Sequence, residues 1–354
     1  MKTMTPVRRT RRHRRHAAGR LVGVVAMALA FVTASCGHRP AGDGIDWGDM
    51  TAERPRAVVA TGVEPSGGFL LQQPGRYDFG WRRHRFDTLA VPVVEYTEPA
   101  LQIAVDGVVV ERFAFEGSME GPHIASVHPF GARERRQPHQ PIRGIMRGLW
   151  SDDIGEDALT IGPRATLELQ HAWLRGRHRP GRPWDGDLPG QDKGIQNDGG
   201  TLLAGPGVRL ENFVRAYRGK ANSVGVLDGV RFFACHNPVR GDGGANPRED
   251  WPFDRGQPGL CLIVVRNSEF IACENPFFAG PGCVILVDRA SVRFDHISGP
   301  MAIEEGGGRV IFTRQLEREW RRWARRLDDP SMAGLERAGR GGGSNRWRPG
   351  GRRR

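Results

Sequence analysis

Lysine is almost missing from this 354-residue chain: of 52 basic side chains only Lys2, Lys193 and Lys220 are lysines. Long apolar runs are missing too. The longest, Leu21–Val32, has twelve residues, short of the roughly 20 a membrane-spanning helix needs. No glycine recurs at every third position, which excludes a collagen-like rod. No GxxxxGK[ST] segment occurs, which excludes a P-loop nucleotide site. Extended helical periodicity is absent from the body, where glycine (49) and proline (25) interrupt the chain; bundles and coiled coils are excluded. The positive charge is not general either. Residues 1–20 hold eight basic residues and no acid, residues 314–354 hold thirteen arginines against five acids, and residues 21–313 carry a net charge of −4. Nucleic-acid binding needs a basic stripe on the folded surface, so no nucleic-acid partner is expected.

The ends read as processing and attachment segments. A basic stretch, the run Leu21–Val32 and small residues before Cys36 have the order of an export signal of lipoprotein type. The expectation is a signal segment over 1–36, lipidation and membrane attachment at Cys36, and a polar tether over 37–56. The protein is then extracellular or at the cell surface, where disulfides are permitted. Near the other end, Leu316, Trp320, Trp323 and Leu327 share one helical face. That spacing predicts a short helix within 314–328, capping the fold or lying on an anionic surface. A disordered basic tail over 329–354 follows.

Residues 57–313 contain many short β-like runs, among them Leu101–Val105, Val108–Phe115, Ala158–Ile161, Val208–Phe213, Val224–Leu227, Cys261–Val265 and Val284–Val287. Two internal similarities organise them. Phe232-Phe233-Ala234-Cys235-His236-Asn237-Pro238 recurs 38 residues later as Phe270-Ile271-Ala272-Cys273-Glu274-Asn275-Pro276. Cys261-Leu262-Ile263-Val264-Val265 recurs 22 residues later as Cys283-Val284-Ile285-Leu286-Val287. A repeat near 22 residues is one coil of a solenoid, and the longer spacing is one coil plus the polar loop Gly241–Gly259. The fold expected is all-β, a right-handed single-stranded parallel β-helix. Stacking then sets Cys235 over Cys273 and Cys261 over Cys283. With adjacent strands about 4.8 Å apart, two disulfides, Cys235–Cys273 and Cys261–Cys283, are expected, the alternative being a ladder of buried free thiols.

Two polar segments stand out. Trp150–Ile161 holds Asp152, Asp153, Glu156 and Asp157, four carboxylates that repel one another unless neutralised. Two or three of them with a backbone carbonyl make a hard oxygen site suited to Ca²⁺. Alone, the segment also reads as a solvated acidic turn. Gln191–Thr201 places Lys193 in a glycine-rich stretch, and Lys220 follows in Arg218-Gly219-Lys220.

These segments resemble those of the small calcium-dependent pectate lyases, polysaccharide lyase family 3. Members carry WEDVxEDAxT, DKxxQxNGGGT and N-F…G-K-x-x-R; here the counterparts are Trp150–Thr160, Asp192–Thr201, and Asn212-Phe213 with Gly219-Lys220. Gly75–Gly80, Ile103–Val110 and Glu120-Gly121-Pro122-His123 are similar to upstream family segments, in the same order. The resemblance implies Ca²⁺ held near Glu120, Asp153, Glu156 and Asp157. It implies Lys193 and Lys220 as the active-site lysines, one the base and one a carboxylate clamp, with Gln196 and Arg218 at the substrate. The chain departs from the family in several places: Glu120 replaces an aspartate, Ser223 stands where members carry an arginine, Asn197 replaces a histidine, and the stretch between Lys193 and Asn212 is longer. Arg218 or Arg215 is the nearest substitute for that arginine. Loops Pro129–Pro141 and Arg175–Gly190 are expected insertions near the groove.

The activity implied is β-elimination on a polygalacturonate-like acidic polysaccharide by a monomer. Two other classes remain open. One is a non-catalytic, surface-anchored polysaccharide-binding protein. The other is a β-helix glycoside hydrolase with its acids drawn from Asp152, Asp153 and Asp157.

Overall fold

Runs of two to eleven residues ended by turn-forming residues fold as strands, and every pairing between described strands is parallel. The structure is a computed structural model describing residues 59–63, 68–86, 99–126, 140–177, 193–220, 222–243 and 259–327. Cys36, the expected signal segment, the 37–56 tether and the 329–354 tail lie outside the described residues. So do most of the loops expected at Pro129–Pro141, Arg175–Gly190 and Gly241–Gly259.

In chain order the strands are β1 (Val59–Val63), β2 (Phe69–Leu71), β3 (Gly75–Asp78), β4 (Arg82–Arg85), β5 (Leu101–Ile103) and β6 (Val108–Glu116). Then come β7 (His123–Ile124), β8 (Ile142–Asp152), β9 (Asp157–Ile161), β10 (Ala165–Arg175), β11 (Lys193–Asn197) and β12 (Thr201–Ala204). Next are β13 (Arg209–Glu211), β14 (Arg215–Lys220), β15 (Val224–Asp228), β16 (Arg231–Phe233), β17 (Val239–Asp242) and β18 (Cys261–Arg266). The last are β19 (Glu269–Ile271), β20 (Phe277–Ala279), β21 (Cys283–Asp288), β22 (Arg293–Asp295), β23 (Ala302–Glu304) and β24 (Arg309–Thr313), followed by helix α1 (Leu316–Ala324).

The chain visits two sheets in turn. One runs β1-β4-β6-β8-β10-β12-β15-β18-β21-β24, with β13, β16, β19 and β22 continuing from the end of β10; the other runs β2-β5-β7-β9-β11-β14-β17-β20-β23. The fold is therefore all-β, built from parallel sheets with one short helix. Each coil leaves the β13–β22 row through a single left-handed residue: Asn212, Ala234, Ala272 and His296, at φ 50–55°. Asp153, at φ 57°, takes the same place after β8. Asn and Asp tolerate this conformation better than most residues.

The interior is a set of ladders. Phe232, Phe270 and Phe294 stack at centroid distances of 4.7 and 5.3 Å. Leu202, Leu227, Val265 and Val287 are further buried members of the same core. Each fully buried aliphatic or aromatic side chain contributes about 1.5–3 kcal/mol, so stability accumulates coil by coil. Helix α1 rests on β21 and β18, and its Trp320 and Trp323 are buried. Among the described residues no helix is long and apolar enough to cross a membrane.

The cysteine register is as expected, with Cys261 opposite Cys283 and Phe232 opposite Phe270. The bridges are not formed. Cys235, Cys261, Cys273 and Cys283 are buried free thiols. Within each pair the thiols touch: Cys235 shares a hydrogen bond with Cys273, and Cys261 with Cys283. The second pair also crowds Gly241: a Cβ there would lie 2.0 Å from Cys283 Sγ and 3.1 Å from Cys261 Sγ. Gly241→Ala should therefore destabilise the protein by about 1–3 kcal/mol or more, measured by urea unfolding. An unchanged midpoint would mean that the thiols do not fill this space. Iodoacetamide should label all four body cysteines after unfolding and none before; a folded protein that labels fully would contradict their burial.

Candidate functional site

Side chains alternate across a strand, and register repeats that alternation from coil to coil. On the second sheet this sorts the residues into rows. Ile124, Ile161, Asn197 and Gly219 form an inward row, as do Leu159, Ile195, Tyr217 and Val239. Three polar rows run beside them. The first is Glu120, Asp157, Lys193 and Arg215. The second is Gln102, His123, Thr160, Gln196, Arg218 and Arg240. In the third, Lys220 faces Asp242 and binds Asp198. Acids gather toward β7 and β9, and cations toward β14 and β17.

At the acidic end Lys193, 3% exposed, is held by three groups. Its Nζ lies 2.6 Å from Asp157 Oδ1 and 3.2 Å from Glu156 Oε1, and donates to Gln196 Oε1 at 3.0 Å. His123 Nε2 stands 3.2 Å from Glu120 Oε2. Burial, followed by Asp157 and Glu156, pushes Glu120 well above the ordinary carboxyl range. Burial also pushes Asp157 up to about 6, against the attraction of Lys193. For Glu156 burial acts upward as well, but the charge and hydrogen bond of Lys193 outweigh it and hold the carboxyl below its usual value. Burial works against the Lys193 ammonium; Asp157 and Glu156 more than offset it, so Lys193 keeps its proton more firmly than usual.

The cationic end is different. Lys220 Nζ lies 2.8 Å from Asp198 Oδ1, whose other oxygen accepts from Gln196 Nε2 at 3.1 Å. Burial lowers Lys220; Asp198 resists, while Arg218 and Lys193 push further down. The net result is an ammonium that gives up its proton more readily than a free lysine. Arg218 and Arg240 both contact Asp242, at 3.2 and 3.0 Å. Arg215 is buried, and burial followed by Arg218 and Arg240 lowers it to about 10.

The structure thus links Glu156, Asp157, Lys193, Gln196 and Lys220 in one chain of contacts on the second sheet, through Asp198, with Glu120 opposite Asp157 and Arg218 opposite Gln196. It does not bring Asp153 there. Asp153 is the left-handed corner residue, its side chain 54% exposed and paired with Arg177 at 2.5 Å. Ser223 and Asn197 belong to the interior. Ser223 donates to Lys220 O at 2.5 Å. Asn197 donates to Tyr217 Oη at 3.2 Å and to Val224 O at 3.0 Å. Arg240, Asp198 and Asp242 are members that sequence reasoning missed, while Arg215 was named only as a substitute for the family's arginine and His123 only within a family segment. Their signal was register: each stands opposite or beside a residue already singled out.

Among the described residues no three His, Cys, Asp or Glu side chains close on one point as a ready set of metal ligands. By donor chemistry Glu120, Glu156 and Asp157 still suit a hard divalent cation, which binds carboxylate oxygen. Glu120 and Glu156 share a hydrogen bond, so a proton now stands where a cation's charge would serve. Compared with known proteins, the chain matches no family model, and no curated protein matches it.

The raised acids give a pH dependence whose sign is fixed. A carboxyl whose folded pKa exceeds its unfolded value stabilises the fold while protonated, and that stability is lost as pH rises through the folded pKa. For Asp157 the window runs from the ordinary value of 3.8 to about 6. The melting temperature should carry a component that falls across this window, and Asp157→Asn should remove it. Identical pH profiles for parent and variant would show that Asp157 is ionised throughout.

Proposed function

We propose that the protein is a Ca²⁺-assisted polyuronate lyase, cleaving an acidic polysaccharide by β-elimination. Its stacked coils are read as a right-handed parallel β-helix of the kind found in polysaccharide lyase family 3. The observation that carries the reading is the grouping of Lys193, Lys220 and Arg218 in one cluster on the second sheet, with Lys220 pushed toward its neutral form by burial and by its cationic neighbours.

β-Elimination needs a base at C5 of a uronate and positive charge near the uronate carboxylate. Lys220 is assigned as the base. Its neutral amine takes the C5 proton, the C–H electron pair forms the C4=C5 bond, and the C4–O bond breaks with its electrons on the leaving oxygen, which is protonated by water. Asp198 orients the Lys220 amine. Arg218, with Arg240 beside it, meets the substrate carboxylate and stands in for the arginine that Ser223 cannot supply. Lys193 keeps its proton and holds Glu156 and Asp157 in place; Gln196 links it to Asp198. Glu120, Glu156 and Asp157 would hold Ca²⁺, which supplies charge neutralisation at the substrate carboxylate. Asp153 is left out of this set. The export signal and Cys36 place the enzyme outside the cytoplasm, attached by lipid.

One observation favours a second reading, a binding protein without turnover: Ser223 is interior, so the family's arginine is missing rather than displaced along the chain.

The test is incubation with polygalacturonate and Ca²⁺, followed by ultraviolet absorbance of unsaturated ends. Lys220→Ala should lose about 10²–10⁴-fold, and Lys220→Arg should stay equally low because guanidinium remains protonated. Chelation and Asp157→Asn should both reduce the rate. New reducing ends without absorbance would mean a hydrolase. Retention without cleavage would mean a binder, and full activity in Lys220→Ala would remove the assigned base.

A further inference from the structure

We propose that helix α1 carries a second, non-catalytic site for an acidic polysaccharide, formed by an arginine stripe on the side of the helix away from the fold. The inference rests on the acidic-polysaccharide reading above. Arg318, Arg321, Arg322 and Arg325 recur at the i, i+3, i+4, i+7 spacing that gathers residues on one helical face. With Arg326 they line a recess of about 570 Å³. Among the described residues two acids answer these five cations: Glu317 pairs with Arg321, and Glu319 lies 3.6 Å from both Arg318 and Arg322. Residues 317–326, the helix and the turn after it, therefore keep a net charge of +3 on a body that is otherwise acidic.

The other face of the helix decides the class of partner. Helices that bind bilayers insert an apolar face among the lipids. Here Trp320 and Trp323 are 0% and 2% exposed and are spent on docking the helix against β21 and β18. What remains outside is guanidinium, which pairs in a fork with carboxylates. No aromatic ring is left exposed on the helix for a base to stack on. A linear polymer with a carboxylate on every sugar matches a row of arginines along a helix, each contact being weak and the row additive. The stripe lies over the first sheet and the lysine site on the second, so the two bind separately.

The test uses the full chain with Arg321→Gln, Arg322→Gln and Arg325→Gln combined. Affinity electrophoresis through polygalacturonate reads binding, and elimination on a short oligouronate reads the catalytic site. Loss of three exposed charge contacts should weaken retention about tenfold, with the oligouronate rate unchanged and retention in the parent falling as salt is added. Circular dichroism confirms that the variant is folded. Unchanged retention would overturn the stripe and leave the lyase reading intact. Stripe-dependent retention in a parent without elimination activity would support the stripe while removing the lyase reading. Stripe-dependent binding to phosphatidylglycerol vesicles or to duplex DNA, without polymer retention, would overturn the assignment of the partner.

Discussion

In a parallel stack, whatever stands at one position of a coil meets its equivalent in the next coil at about 4.8 Å. Every feature of this protein answers to that spacing. Apolar positions gain by it, because the phenylalanine and aliphatic ladders exclude water along their whole length. Charged positions are constrained by it. Like charges one coil apart cost energy, yet the rows on the second sheet set Glu120 beside Asp157, Lys193 beside Arg215 and Arg218 beside Arg240, with Lys193 at the change of sign. The two ends of the row then treat their ionisable groups oppositely. Carboxylates crowd at β7 and β9 and hold protons; cations crowd at β14 and β17, where Lys220 lets its proton go more easily. An ammonium that yields its proton more readily than a free lysine and a run of neighbouring cations arise from the same rule of stacking.

The coil architecture was legible because it repeats. The two internal similarities gave the register of Phe232 on Phe270 and of Cys261 on Cys283, and both hold. Strands such as Val224–Asp228 and Cys261–Arg266 were visible as β-branched runs. The short helix was also visible, although it closes at Ala324 rather than reaching Leu327. Arg215–Lys220 and Val239–Asp242 were not recognised as strands. Their outward positions are arginine, lysine and aspartate, and their inward ones include two glycines, so no apolar alternation marks them. The cysteine register was right, and the stacked thiols touch within each pair with no bridge drawn between them.

The site was half legible. Lys193 and Lys220 drew attention by rarity in an arginine-rich chain, and the structure links both through Gln196 and Asp198 on the second sheet. Their difference was not readable, because it comes from burial and from groups brought together by the fold: Asp157 and Glu156 for Lys193, and for Lys220 burial, resisted by Asp198 and reinforced by Arg218 and Lys193. Asp153 shows the converse. Sequence grouped it with its acidic neighbours, yet the coil needs a left-handed residue at that corner, and the corner turns it toward Arg177. Adjacency along the chain is a poor guide here; adjacency across coils is the informative one.

The central claim is that stacking gives the two body lysines opposite acidities, and it can be measured directly. With only three lysines in the chain, heteronuclear NMR titration of the side-chain resonances needs few assignments. The account predicts that Lys193 titrates above the ordinary value of 10.5 and Lys220 below it. Two lysines that titrate together, or in the reverse order, would contradict it.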